Sequence, residues 1–318
     1  MIFKKIDIKR YELNLKNKLI NSHAKYVNRV GFIIVLGIDE YIGYGEASPL
    51  PLFSKENHKE VSWKFEEIKA SLSIGENYDK EDLLNLFNLI AKEVPSLNFA
   101  LDIALYDILS QKEKIFLSKY LNNNANDVVH FSSIYFSKID IPSNTVKVKL
   151  GIKNINEDID YFKNIAEQLN KSTIFRLDLN QSYDVGQVIH LYNNLRSYNI
   201  EYIEEPIKDL SVKSLNEIKK HTSFSIALDE TIINGKYDQL ISENCVDYAI
   251  LKAPLFGSIK NIFMFKSYLD KNSVKLVLSS CLQTPIGNMS NIHIASALEL
   301  DGMHGLNNHV FLNYNSKV

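Results

Sequence analysis

The sequence predicts an α/β fold: a closed barrel of parallel strands behind a smaller α+β segment. Three observations predict it. From about residue 128, short apolar strands alternate with amphipathic stretches, the pattern of seven or eight repeated β–α units. Five consecutive strands end in an ionisable residue, and each step between them is about one β–α unit: 29 residues from Lys149 to Asp178, 26 on to Glu204, 25 on to Asp229 and 23 on to Lys252. The chain has 318 residues and 45% hydrophobic content, enough for a large core and an accessory domain beside a barrel.

Residues 1 to about 50 read as an antiparallel meander with strands at 6–15, 31–36 and 42–47, and Asp39-Glu40 turning between the last two. Gly43-x-Gly45 has the start of a dinucleotide fingerprint, but no third glycine follows at the required spacing and no helix opens there. Residues 48–54 form a proline-rich loop with exposed apolar residues. Three helices follow. Residues 56–72 carry Val61, Phe65 and Ile68 on one stripe, residues 83–90 form the second, and 96–109 places Leu97, Leu101, Leu105 and Ile108 at helical spacing. Asp102 and Asp107 on the third helix read as solvated or capping residues. Asn122-Asn123-Asn124 reads as a linker.

The strands of the second region fall at 129–134, 146–150, 175–179, 201–204, 225–229, 248–252 and 275–279, with a short eighth at 303–306. Residues 155–169 and 188–195 are amphipathic stretches between them. Segment 146–150 alternates with period two, so Val146, Val148 and Leu150 share one face and Lys147 and Lys149 the other. Taken alone, this is either an edge strand that uses lysine against aggregation or a pair of amines aimed into an active site. The same alternation turns Asp178 away from Leu177 and Leu179, Glu204 away from Ile203, Asp229 away from Ile226 and Leu228, and Lys252 away from Ala249 and Leu251. In a parallel barrel one strand face packs on helices and the other faces the axis, with active sites at the C-terminal strand ends. A series Lys–Asp–Glu–Asp–Lys therefore converges on one mouth. Three inward carboxylates on neighbouring strands repel unless something neutralises them, and an all-oxygen set favours Mg²⁺ over zinc. Such a cation would also hold oxygens of a substrate carboxylate.

The formal charge of −2 and a pI near 6.5 give no basic footprint for nucleic acid. The start of the chain, Met1-Ile2-Phe3-Lys4-Lys5, lacks the apolar core of a signal peptide, and no apolar run is long enough to span a bilayer. Cys245 and Cys281 form neither a CxxC motif nor a disulfide framework. These features predict a cytoplasmic protein without nucleic-acid or membrane partners, acting on a small-molecule carboxylate. His304, His309 and Cys281 read as structural residues.

With these residues assembled, the chain resembles the enolase superfamily, in its muconate-lactonizing branch. The resemblance rests on Lys147-Val148-Lys149, Arg176-Leu177-Asp178-Leu179-Asn180, Ile203-Glu204-Glu205-Pro206, Leu228-Asp229-Glu230, Leu251-Lys252-Ala253-Pro254 and the N-terminal run from Gly43 to Pro51. It implies a modified (β/α)7β TIM barrel at 123–307 and an α+β N-terminal capping domain at 1–122, with the tail 308–318 packing back on the cap. It implies Mg²⁺, or Mn²⁺ in its place, on Asp178, Glu204 and Asp229. Lys149 would take a proton α to a carboxylate, giving a metal-stabilised enediolate, and Lys252 would stay cationic opposite it. Lys147, Asn180, Glu205, Glu230, Ser279 and Ser280 would bind substrate or orient ligands. Residues 17–29 and 49–53 would close over the mouth as segments without strong local structure, with Arg29 contacting a substrate carboxylate. Within the branch the chain most resembles the o-succinylbenzoate synthases, lyases that dehydrate 2-succinyl-6-hydroxy-2,4-cyclohexadiene-1-carboxylate in menaquinone biosynthesis. The other reading is an N-acylamino-acid racemase or dipeptide epimerase. Dipeptide epimerases usually carry an Asp-x-Asp pair near the eighth strand to hold a substrate amine, and Leu300-Asp301-Gly302 does not match it.

Overall fold

The computed structural model of the chain describes residues 1–318 except 21–24, 52, 136–142, 308–311 and 314–318, and at 17–20 and 25–27 it describes the backbone alone. The N-terminal region opens with β1 (Phe3–Ile20), β2 (Lys25–Ile38) and β3 (Tyr41–Ala47), an antiparallel sheet. Near the C-terminus β13 (Leu312–Asn313) pairs with β1 at its outer edge, giving the order β13-β1-β2-β3. The segment read as an unstructured loop at 17–29 is instead largely a continuation of the β1–β2 hairpin, with Ile20 opposite Lys25 and its tip outside the described residues. Backbone ladder pairing outweighs the weak strand propensity of its asparagines and lysines.

Three helices cover this sheet: α1 (His58–Ala70), α2 (Lys80–Ala91) and α3 (Pro95–Glu113). Reciprocal capping boxes, Asn57 with Glu60 and Asp79 with Asp82, start the first two. The third begins with proline at its first turn and is buried around most of its circumference. Ala100, Leu101 and Ala104 pack into the cap's core while Phe99 and Ile103 pack into the barrel's. A Cβ on Gly43 or Gly45 would lie 2.0 Å from the Ala104 carbonyl oxygen or 1.9 Å from that of Ala100. The glycine pair that resembles a nucleotide fingerprint is thus a seat for the α3 backbone.

A short helix, α4 (Leu117–Leu121), leads to the barrel. The asparagine run is no free linker: the Asn122 amide donates to the Ala297 carbonyl at 2.8 Å and Asn126 N donates to Ser296 O at 3.0 Å. The predicted first strand is broken at Ser132 into β4 (His130–Phe131) and β5 (Ser133–Ile134). The others follow as β6 (Thr145–Lys149), β7 (Ile174–Asp178), β8 (Ile200–Glu204), β9 (Ile226–Leu228), β10 (Tyr248–Leu251), β11 (Lys275–Leu278) and β12 (Met303–His304). Strands β5 to β11 form one parallel sheet. β12 pairs with β4, and hydrogen bonds from Gly305 N to Leu278 O and from Ser280 N to Gly305 O tie it to the end of β11, which closes the ring.

The connections are α5 (Ile155–Ala166), α6 (Val185–Leu195), α7 (Val212–His221), the pair α8 (Glu230–Ile233) and α9 (Asp238–Ser242), the pair α10 (Ala253–Phe256) and α11 (Ile259–Lys271), and α12 (Pro285–Ala297). Between β5 and β6 only residues 135–144 intervene, fewer than a usual parallel crossover, and no helix occurs there among the described residues. The outward strand residues Val146, Val148, Leu177, Ile203, Ile226, Leu228, Ala249 and Leu251 share one core with Phe162, Leu191, Leu215 and Ile262 of the helices. Inside the ring a small apolar cluster of Tyr202, Ala227, Ile250 and Val277 fills the axis. Polar residues are therefore concentrated above it.

Candidate active site

Alternation on neighbouring strands delivers the ionisable series to one end of the ring. Lys149 ends β6, Asp178 ends β7, Glu204 ends β8, and Asp229 and Lys252 stand one residue past β9 and β10. The register sets Lys149 beside Asp178 and Asp178 beside Glu204. β6 lies between β5 and β7, so its lysines are not guarding a sheet edge. Lys147 starts one layer lower, beside Arg176, and its amine rises to Asp178 Oδ2 at 2.8 Å and to the two Glu204 oxygens at 2.7 and 2.8 Å. Lys149 Nζ is 3.7 Å from the same Asp178 oxygen. Across the ring Lys252 Nζ donates to both oxygens of Asp229 and lies 5.0 Å from the centre of the Phe53 ring. Thus each carboxylate has an amine beside it, and the two amines of the Lys-x-Lys pair are separated by the charge they share.

Burial and mutual repulsion set the protonation chemistry. Glu204 is pushed up to about 8 by burial and by the neighbouring Asp178 charge. Glu230 is pushed up to about 9 by burial and then by Asp229, and its Oε2 has no hydrogen-bond partner among the described residues. Burial also works against the Asp178 carboxylate, but Lys147 and Lys149 prevail and hold it below its usual range. Burial works against the Lys252 ammonium too, yet Asp229 and Glu230 keep it protonated above the ordinary lysine value. Lys147 is held cationic in the same way, by Asp178 and Glu204 against burial.

The donor set fits a hard divalent cation: three buried carboxylates on adjacent strands, with no sulfur or imidazole among them. As the side chains stand, no three His, Cys, Asp or Glu groups among the described residues are gathered about one point. The lysines account for the spread, since Lys147 occupies the space between Asp178 and Glu204 while Lys252 sits on Asp229.

The surrounding residues hold this series in place. Glu205, with φ of 44°, turns its carboxylate back under the next strand. It accepts from Asp229 N and Thr231 N at 2.8 Å each, from Thr231 Oγ1 at 2.9 Å and from Gln181 Nε2 at 2.8 Å. The backbone that carries Asp229 is therefore pinned to β8. Asn180 is also left-handed, and its amide donates to Asp178 O at 3.3 Å. Ser279 N donates to Leu251 O, and Ser280 Oγ accepts from Leu282 N at 3.1 Å.

Arg29 departs from its expected role. It is only 2% exposed, and its guanidinium donates to the carbonyls of Cys281 (3.0 Å), Val30 (2.9 Å), Pro49 (2.7 Å) and Ser48. Backbone carbonyls, not a ligand, occupy this fork. Leu50, read as exposed, is buried in the same loop. Phe53, in the segment 49–53 expected over the mouth, lies against Lys252, and Glu46, which pattern reading passed over, has a buried carboxylate that joins the cap to the loop after β11. The available signal for Glu46 was a lone charge on an otherwise apolar strand.

Comparison with known proteins agrees with this fold. Residues 143–311 match the family described as enolase C-terminal domain-like, and residues 3–108 match the one described as MenC, N-terminal domain. An L-amino acid-D/L-Glu epimerase of Francisella philomiragia is 25% identical over 316 residues, covering 93% of this chain and 88% of its own. An o-succinylbenzoate synthase of Pectobacterium atrosepticum is 24% identical over 311 residues, covering 95% and 90%. The crystal structure of an Enterococcus faecalis dipeptide epimerase complexed with Mg and the dipeptide L-Leu-L-Tyr superposes with a TM-score of 0.87 at 21% identity, covering 99% of this chain and 93% of that one. With an N-terminal cap, a parallel barrel and family matches that together span most of its length, the chain belongs to the enolase superfamily, in the muconate-lactonizing branch.

Proposed function

We propose that this enzyme moves the proton on the carbon α to a substrate carboxylate, as a racemase or epimerase of N-acyl amino acids or dipeptides. The observation that carries the reading is the placement of Lys149 and Lys252 four strands apart in a ring of eight, with Asp178, Glu204 and Asp229 between them. A substrate lying over those carboxylates presents one face to each amine. Asp178, Glu204 and Asp229 would hold Mg²⁺, or Mn²⁺, which when bound supplies positive charge to the substrate carboxylate as negative charge develops there. Lys149, without the close ion pair that Lys252 makes, is the base on one face. Lys252, kept protonated by Asp229, returns a proton from the other. The full-length likeness to amino-acid and dipeptide epimerases supports the substrate class.

A second reading is favoured by particular observations. Dehydration of 2-succinyl-6-hydroxy-2,4-cyclohexadiene-1-carboxylate to 2-succinylbenzoate needs one lysine to move a proton and the other only to stay charged. Lys149 would take the α-proton and pass it to the departing hydroxyl, releasing water. The tight Asp229 partnership and the Phe53 ring suit Lys252 to a permanent charge. Residues 305–307, which follow β12 at the mouth, carry no carboxylate for a substrate ammonium, and the N-terminal region matches the MenC N-terminal domain.

One experiment separates the two. The purified enzyme with Mg²⁺ in deuterated water is offered N-acyl amino acids, dipeptides and the cyclohexadiene acid. Wash-in of deuterium at the α-carbon with loss of optical activity is expected. Dehydration without any such exchange would move the assignment to the lyase, and inertness towards all three would reject both.

A further inference from the structure

We propose that Glu46 is a positioning residue of the reaction: from the cap, its carboxylate sets the loop between β11 and α12 that walls the active site. The effect on turnover rests on the function proposed above; the hold on the loop does not.

Glu46 lies on β3 and is 1% exposed. Its Oε1 accepts from Tyr11 OH at 2.5 Å, and both oxygens accept from Thr284 N at 3.1 Å. Oε2 also accepts from Thr284 Oγ1 and, at 3.0 Å, from Gly287 N. Thr284 is the N-cap of α12, and Gly287 N is one of the amides that a helix start leaves without a partner inside the helix. A carboxylate there satisfies buried donors and complements the helix dipole. It comes from a residue 238 positions earlier, in the other half of the molecule.

The loop between β11 and α12, residues 279–284, is tied down along its length: Ser279 N donates to Leu251 O, and Gln283 Oε1 accepts from Asn291 Nδ2 at 2.6 Å. Ser280 N donates to Gly305 O, Arg29 from β2 donates to Cys281 O, and Glu46 takes Thr284. The loop belongs to the site. Leu278 pairs with Leu251, so Ser279 at the start of the loop stands level with Lys252, and burial pushes the Cys281 thiol up to about 12. Next to Glu46, the segment from Ser48 to Pro49 is tied to the same Arg29 guanidinium and leads to Phe53 over Lys252. Cap and barrel therefore meet the substrate as one wall. Loss of the Glu46 carboxylate frees the loop at its far end without touching a lysine or a metal-binding carboxylate.

The test compares wild type, Glu46→Gln and Glu46→Ala. Backbone amide hydrogen exchange is followed at 281–287, and kcat and KM are measured for whichever substrate the wild type turns over. The expectation for Glu46→Ala is about tenfold faster exchange at Thr284 and Gly287 with unchanged protection in β6 to β8, and a KM raised about tenfold with kcat within about threefold, since a lost buried hydrogen bond is a change of roughly that size. Glu46→Gln retains the shape and an acceptor oxygen and should recover most of both. Should Glu46→Ala fail to fold, Glu46→Gln against wild type reads the same two quantities with smaller shifts. Unchanged exchange at 281–287 together with unchanged KM would overturn the proposal, as would a general loss of thermal stability that leaves both where they were. A wild type inert towards every substrate would reject the proposed reaction, while amide exchange would still decide whether Glu46 holds the loop.

Discussion

At the scale of single residues, the chemistry lies in the asymmetry between two lysines. Lys252 is locked to Asp229 and faced by Phe53, whereas Lys149 has one carboxylate oxygen at 3.7 Å and is more open. Replacing either by alanine should lower kcat by about 10²–10⁴-fold, the usual worth of a positioned acid or base. The two variants should differ in isotope exchange. Lys252→Ala should still wash deuterium into the enantiomer whose α-hydrogen faces Lys149 while failing to invert it, and Lys149→Ala should not exchange that enantiomer. Normal turnover by Lys149→Ala would remove it from the mechanism. These two lysines and the three carboxylates were legible in the sequence because period-two alternation assigns each a face without knowledge of any partner. Arg29 and Glu46 were not, because their roles are set by Cys281 and Thr284, 252 and 238 residues away. A charged residue on an apolar strand reads alike whether its partner is a ligand or a distant backbone.

At the scale of elements, the joints between helices decide how the halves meet. Asp102 on α3 accepts from Ile259 N, the first residue of α11, at 2.9 Å, and burial pushes its carboxyl up to about 7. Of the two readings, solvated or capping, it is the capping one that holds, on a helix in another part of the chain. With the folded value raised above the unfolded one, the folded state binds the proton more tightly. Its contribution is full below the unfolded value near 4 and is lost as pH rises through about 7. Asp102→Asn keeps an acceptor for Ile259 N and removes the titration. The variant should therefore gain stability over wild type, by about 1–2 kcal/mol at pH 8, with the gain shrinking towards pH 5. Urea midpoints at the two pH values measure this, and an equal difference at both would refute it. Most strands and helices were legible from apolar spacing. The break at Ser132 was not, since two-residue ladders in different sheets leave no periodic trace.

At the scale of the whole molecule, α3 belongs to both cores. Phe99 and Ile103 face the barrel while Ala100 and Ala104 lie on β3, so neither half keeps its interior without the other. Heating should give one cooperative transition by calorimetry, with a calorimetric enthalpy equal to the van't Hoff value; two resolved transitions would show that cap and barrel unfold separately. The close seat that Gly43 and Gly45 give α3 has a consequence for building hybrids of such enzymes. With an added Cβ only 1.9–2.0 Å from a helix carbonyl, the sheet and that helix have to be inherited together. A cap transplanted from a relative would work here as a cassette cut after α3, bringing its own acceptor for the start of α12. A graft cut between β3 and α3 would pair surfaces that were never shaped to each other, whatever substrate preference its loops encode.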